Sequence, residues 1–171
     1  MATHYPPEEL NTDYSDEDNG TMPENVDELR KHIVGHRIVA AEKGTARVPY
    51  TSYGTFRPHD AHGFIITLDN GVKVLLEDDS DCCAYTNLES FLLHPERIDH
   101  VITGVGTTEK YQRWHIYADM GDVLELEVGW SCGNPFYYGY GFNIYVVPID
   151  GEVIDDQAAL PAAVSRALPP A

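Results

Sequence analysis

Basic residues are scarce in this chain: 11 Lys and Arg stand against 28 Asp and Glu, for a formal net charge of −17. A surface of that sign repels phosphate backbones, which argues against direct nucleic-acid binding and leaves a basic partner or DNA mimicry open. Cysteine is also scarce, with 3 residues, of which Cys82 and Cys83 are adjacent and Cys132 stands apart. An odd count with no paired spacing does not make a secreted disulfide framework. No run approaches the ~20 apolar residues that cross a bilayer, and the opening MATHYPPEEL has neither a basic nor an apolar leader region. The expectation is a soluble, cytoplasmic protein with no membrane partner and no cofactor.

What is present is enough for one core. A chain of 171 residues with 43% hydrophobic content fits a single domain. Its acidity is uneven: residues 1–28 hold 9 carboxylates and no Lys or Arg. With Pro6, Pro7 and Pro23 and few large apolar side chains, this segment cannot bury enough surface to offset the entropy of ordering it. Residues 1–24 therefore read as a disordered acidic arm, 25–150 as a single domain, and the Ala/Pro-rich 151–171 as a tail. Residues 29–150 carry 16 Asp and Glu against 10 Lys and Arg, a milder imbalance that also keeps a protein soluble.

Two helices are expected. Asn25 precedes VDELRKHIV, with acidic residues early, basic ones late and Gly35 as the stop. Thr86 precedes NLESFLLH with Glu89 three residues on, a capping-box pattern that Pro95 would end. The remainder reads as strands over 37–43, 64–68, 72–77, 100–108, 113–118, 123–130 and 141–149, rich in β-branched and aromatic residues. In RWHIYADMGDVLELEVGW, a three-residue loop Asp119-Met120-Gly121 sets Ile116 opposite Leu124 and Trp114 opposite Leu126 on one face. The other face then pairs Arg113 with Glu127 and His115 with Glu125. FIITLDNGVKVLLE gives the same scheme around Asp69-Asn70-Gly71, with Ile66 meeting Val74 and Phe64 meeting Leu76. The two hairpins are offset by 50 residues, which reads either as a divergent internal duplication or, because hairpins with Asp-x-Gly turns are common, as chance similarity, the commoner of the two. The 19 residues from Gly44 to His62 are too long for a hairpin loop and read as a functional or mobile connection. The fold class is α+β: one curved, mostly antiparallel sheet of six or seven strands with two short helices.

Several constellations invite chemistry. Adjacent side chains in extended chain point to opposite faces, so Cys82 and Cys83 do not grip one ion. Cys82 with Cys132 and the histidines of HDAH, His59 and His62, is the zinc alternative; burial as small apolar groups is the plainer one. Glu77, Asp78, Asp79 and Asp81 would raise a neighbouring thiol's pKa, which disfavours a thiolate nucleophile. EDDSD fails the calcium-loop pattern, because the sixth residue from Asp79 is Ala84 instead of Gly. His115 beside Glu125 has the make-up of an acid/base pair but equally that of an ordinary cross-strand pair.

The aromatic content is the strongest hint. Tyr50, Tyr53 and Phe56 sit in the long connection, and Tyr137, Tyr138 and Tyr140 sit among glycines near the end of the domain. Tyrosine offers large contact area at low entropic cost, and glycine lets a partner approach the backbone. With NGVKVLLEDDSDCCAYTNLESFL and GWSCGNPFYYGYGFNIYVV in view, the chain resembles, over roughly residues 27–148, a group of uncharacterised small proteins of actinobacteriophages. They share the Asp81-Cys82-Cys83 segment and the Tyr138 to Gly141 closing strand. The resemblance implies a gene expressed in an infected bacterium, where small acidic proteins act by binding host or defence components. The leading expectation is a non-enzymatic accessory protein that binds such a protein through Tyr50, Tyr53, Phe56, Tyr137, Tyr138 and Tyr140. A second is a sponge for a nucleotide-like signal, with Arg47, Arg57 or Arg113 on its phosphates. A third is a metal-dependent enzyme using Cys82, Cys132, His59 and His62.

Overall fold

The structure is a computed structural model that describes residues 21–48, 51–52, 55–56, 58–80, 84–131 and 141–147. In chain order the elements are α1 (Thr21–Ile33), β1 (Ile38–Val48), β2 (Thr51–Ser52), β3 (Thr55–Phe56), β4 (His59–Leu68), β5 (Lys73–Glu77) and β6 (Asp79–Ser80). Then follow β7 (Tyr85–Leu93), a 3-10 turn (Pro95–Arg97), β8 (Gly104–Thr108), β9 (Arg113–Ala118), β10 (Gly121–Ser131) and β11 (Asn143–Val147). Every strand pairing described is antiparallel. The fold is mostly antiparallel β structure with one α-helix among the described residues.

The strands do not form one sheet. They make a four-stranded sheet, β1-β4-β5-β11, a five-stranded sheet, β6-β7-β10-β9-β8, and the small pair β2-β3. Each large sheet contains a meander of three consecutive partners, β1-β4-β5 in one and β8-β9-β10 in the other. After each meander the chain crosses to the opposite sheet: β6 and β7 join the sheet of β10, with β7 beside β10, and β11 lies beside β5. Each half of the chain thus completes the other half's sheet.

One apolar core lies between the sheets. Phe64, Ile66, Val74 and Leu76 from the first hairpin meet Trp114, Ile116, Leu124 and Leu126 from the second, all fully buried. The helix closes this core with Met22, Val26, Leu29 and Ile33, spaced to make one stripe. Burying those four side chains contributes roughly 1.5–3 kcal/mol each, before entropy is counted. A smaller cluster, Val48, Ala61, Ile65, Leu75 and Val147, is buried on the opposite face of the four-stranded sheet.

Several expectations need correction. The segment after Thr86 is strand β7, paired with β10 from Thr86↔Trp130 to Leu93↔Leu124. Its capping-box spacing caps nothing; the Thr86 hydroxyl instead accepts the Gly141 N–H at 2.6 Å. Asn25 lies inside α1, where its side-chain amide donates to the Phe142 carbonyl at 2.9 Å and accepts the Phe142 N–H at 3.0 Å. The connection from Gly44 to His62 is largely strand: β1 runs on to Val48 and pairs there with His59 at the start of β4. Six or seven strands become eleven among the described residues, and two helices become one α-helix.

The hairpin registers follow the sequence reading. Ile66 pairs with Val74 and Phe64 with Leu76, and Gly71 takes a positive φ of 87°. In the second hairpin Arg113↔Glu127, Trp114↔Leu126, His115↔Glu125 and Ile116↔Leu124 are all present. The turn itself differs. Ala118 pairs with Gly121 across the two residues Asp119 and Met120, and a bulge between Asp122 and Leu124 absorbs the extra residue.

Candidate functional site

The outer face of the five-stranded sheet is built by alternation. Trp114, Ile116, Leu124 and Leu126 point inward, so Arg113, His115, Glu125 and Glu127 point outward. The bulge changes this pattern once. Val123 and Leu124 are both fully buried, and the extra inward residue turns Asp122 onto the same outer face as Glu125. His115 Nδ1 lies 2.9 Å from Asp122 Oδ2, and His115 Nε2 lies 3.0 Å from the Thr108 hydroxyl. His94, just past β7, places Nε2 2.6 Å from Glu125 Oε2. The ligand-bearing atoms of His115, Asp122 and Glu125 all lie within 4.8 Å of one another, so these three residues could hold a metal ion. Their side chains are 13%, 14% and 19% exposed, respectively.

Arg113 joins this cluster to a neighbouring cleft. Its guanidinium reaches Glu125 Oε1 at 3.4 Å, Glu127 Oε1 at 3.3 Å and Glu109 Oε2 at 3.2 Å. One cation among three carboxylates leaves a negative excess. The cleft, of about 200 Å3, is lined by Tyr85, Glu89, Glu109, Gln112, Arg113, Glu127, Gly129 and Trp130. Gly129 keeps its floor open, since a side chain there would meet Glu89 Oε2 at 2.5 Å and Asn87 Oδ1 at 2.9 Å.

A strained turn borders the cleft. Glu109, Lys110 and Tyr111 have φ of 58°, 55° and 63°, three successive left-handed residues with no glycine among them. For L-residues this conformation costs roughly 1–2 kcal/mol each. Such a turn persists only where its surroundings over-determine it, and such turns concentrate at functional sites. Here two indoles hold it: Trp114 Nε1 donates to the Tyr111 carbonyl at 2.9 Å, and Trp130 Nε1 donates to the Lys110 carbonyl at 2.8 Å. The rings of Tyr111 and Trp130 also meet edge to face, with centroids 6.3 Å apart. Glu109 and Gln112, the two ends of this turn, both line the cleft.

Hydrogen bonds hold down two carboxyls, one in the 3-10 turn and one in the β9–β10 turn. The Glu96 carboxyl is held below its usual value first by its own backbone N–H, then by Arg97 and His94, with desolvation opposing. The Asp119 carboxyl is held down first by its hydrogen bond to His100, at 2.9 Å. Beside the cleft, β7 leaves Tyr85 and Leu92 exposed, and β6 pairs with Tyr85 and Thr86 alone.

The residues singled out from sequence fall differently. Tyr50, Tyr53, Arg57, Cys82, Cys83, Cys132, Tyr137, Tyr138 and Tyr140 lie outside the described residues, as do the side chain of Phe56 and residues 1–20 and 148–171. Arg47 pairs with Asp60 at 3.2 Å, and Arg113 is surrounded as above, so neither offers an uncompensated charge to a phosphate. His59 and His62 both lie in β4, three residues apart, and an odd spacing on a strand sends them to opposite faces. His59 Nε2 lies 3.2 Å from Glu77 Oε2, and His62 Nδ1 lies 2.8 Å from the Thr45 hydroxyl. They do not share a site. His62 instead lines a second cleft, of about 350 Å3, with Lys43, Gly44, Gly63, Asp78 and Leu88. Sequence reasoning passed over His94, Asp122, Tyr85 and Glu109. The adjacent apolar pair Val123-Leu124, which breaks the alternation, was the available sign of the bulge that presents Asp122.

No helix among the described residues is long and apolar enough to cross a membrane. No curated protein and no solved structure matches the chain. Residues 31–144, which span both sheets and every residue of this outer face, match the model of a domain of unknown function, and the chain belongs to that family, DUF7448.

Proposed function

We propose that this is a non-enzymatic binding protein whose outer five-stranded face captures a basic segment of a protein partner. The observation that carries the reading is the cleft that combines Tyr85 and Trp130 with Glu89, Glu109 and Glu127, beside a strained turn held by two tryptophans. Carboxylates attract an ammonium or guanidinium, and aromatic faces add cation–π attraction of about 0.5–2 kcal/mol. The chain's net charge of −17 steers basic partners toward it. Exposed Leu92 and Tyr85 on β7 add apolar contact beside the charged groups. The setting that fits is the infected bacterium implied by the resemblance to actinobacteriophage proteins, and the partner a host or defence protein.

A titration with lysine- and arginine-bearing peptides, followed by tryptophan fluorescence, tests this reading. Trp114 is fully buried and Trp130 is not, so a signal that vanishes in Trp130→Phe reports the cleft. Binding is expected to fall at least tenfold in a Glu109→Gln/Glu127→Gln variant and to weaken with salt. The partner drawn from host lysate by the wild-type chain is expected to be lost with the same variant. Equal binding by the folded double variant contradicts the proposal.

A further inference from the structure

The two hairpins differ most where the first has no chemistry at all. Shifted by 50 residues, His115, Asp122 and Glu125 correspond to Ile65, Val72 and Leu75. Ile65 and Leu75 are a buried cross-strand pair, and His115 and Glu125 are the same pair in the second hairpin. The bulge that brings Asp122 beside them has no counterpart in the β4–β5 ladder. Where one hairpin has three apolar residues the other has one imidazole and two carboxylates, and the bulge in its register makes them converge.

From this geometry we infer that His115 Nδ1, Asp122 and Glu125 form a binding site for a first-row divalent transition-metal cation, zinc being the reference ion. Two ligand atoms each ~2.1 Å from a metal stand about 3.0–3.4 Å apart at octahedral to tetrahedral angles. The 2.9 Å between His115 Nδ1 and Asp122 Oδ2 is close to that spacing. The 4.8 Å limit on the whole set exceeds the ~4.2 Å of opposite ligands by an amount that side-chain rotation closes. The supporting groups are those a metal centre uses. Thr108 sits on the far nitrogen of His115, where accepting the Nε2 proton fixes the tautomer that turns Nδ1 to an ion; a bound cation takes the place of the Nδ1 proton now shared with Asp122. His94 holds Glu125 Oε2 at 2.6 Å, and Arg113 lies near Glu125 Oε1 at 3.4 Å. His94, Thr108 and Arg113 are positioning residues; the three ligands occupy one side of the ion and leave the rest of its coordination sphere to water or a partner group. A mixed nitrogen and oxygen set of this kind selects zinc, iron or manganese over calcium and magnesium, which prefer oxygen alone.

The test is calorimetric titration of the full chain with zinc chloride, repeated with magnesium and calcium. One zinc per chain is expected. Affinity should fall at least tenfold in His115→Ala and in Asp122→Asn, and about 10–100-fold in Thr108→Val, where only the supporting hydroxyl is lost. A His59→Ala/His62→Ala variant should bind as the wild type does. Cobalt(II) loading of the wild-type chain covers the case in which a ligand variant does not fold: visible d–d bands without a thiolate charge-transfer band are expected. A thiolate band, absence of zinc binding, zinc binding unchanged in folded His115→Ala and Asp122→Asn, or preference for magnesium or calcium overturns the inference.

Discussion

The β4–β5 and β9–β10 hairpins are alike inside and unlike outside. Phe64, Ile66, Val74 and Leu76 occupy in one the inward positions that Trp114, Ile116, Leu124 and Leu126 occupy in the other, and all eight are buried in one core. On the outward side the first hairpin presents Ile65 and Leu75 to a second apolar cluster, whereas the second presents Arg113, His115, Asp122, Glu125 and Glu127. The inward residues are constrained by a shared core and the outward ones are not. One hairpin spends its outer face on packing, and the other has an outer face available for recognition.

Exchanging outward residues breaks this comparison most severely in one direction. Leu75→Glu would place a carboxylate at a fully buried position and should destabilise the fold by at least about 3 kcal/mol, measured by urea denaturation. The reverse change, Glu125→Leu, removes a partner of His94 and Arg113 at a partly exposed position, and should cost less than Leu75→Glu while abolishing zinc binding. Nearly as disruptive is Gly63→Ala, because a Cβ there would run into the Leu76 carbonyl; a loss of roughly 1–3 kcal/mol is expected. Arg113, at the corresponding place in the second hairpin, carries a full side chain outward. Lys110→Gly should instead stabilise the protein, by about 1 kcal/mol, since glycine takes the left-handed conformation at no steric cost. That gain should come with weaker peptide binding if the strain positions the cleft.

The smallest expected effect concerns pH. Asp119 has its carboxyl depressed in the fold, first by His100, relative to an ordinary value of 3.8. A depressed carboxyl contributes stability that is complete above the unfolded value and is lost as pH falls through the folded one. Asp119→Asn should therefore flatten the acid limb of the stability profile below pH 3.8 and leave its slope near neutrality unchanged.

The hairpins were legible in sequence because alternation and turn residues are local and mutually consistent. The pairs His115↔Glu125 and Ile66↔Val74 follow from them directly. Residues 86–93 were not legible in the same way. Thr86 and Glu89 carry a helix-start spacing, yet long-range pairing with β10 and the bond from Gly141 to the Thr86 hydroxyl decide the outcome. Asn25 is a comparable case, its side chain engaged by Phe142, 117 residues away. Of the site, the His115 and Glu125 pair was visible. Asp122 needed the bulge, His94 needed the end of β7, and the cleft needed a left-handed turn at Glu109 to Tyr111 that no local preference announces.

The most direct measurement removes equal charge from the two sheets and compares partner binding. Basic-peptide affinity is measured for Glu109→Gln/Glu127→Gln, in the β8–β9 turn and β10, and for Glu42→Gln/Asp60→Asn, in β1 and β4 of the four-stranded sheet. A loss of at least tenfold confined to the first variant is predicted. Equal losses in both would mean that net charge alone attracts the ligand, and would contradict a recognition face built on the second hairpin.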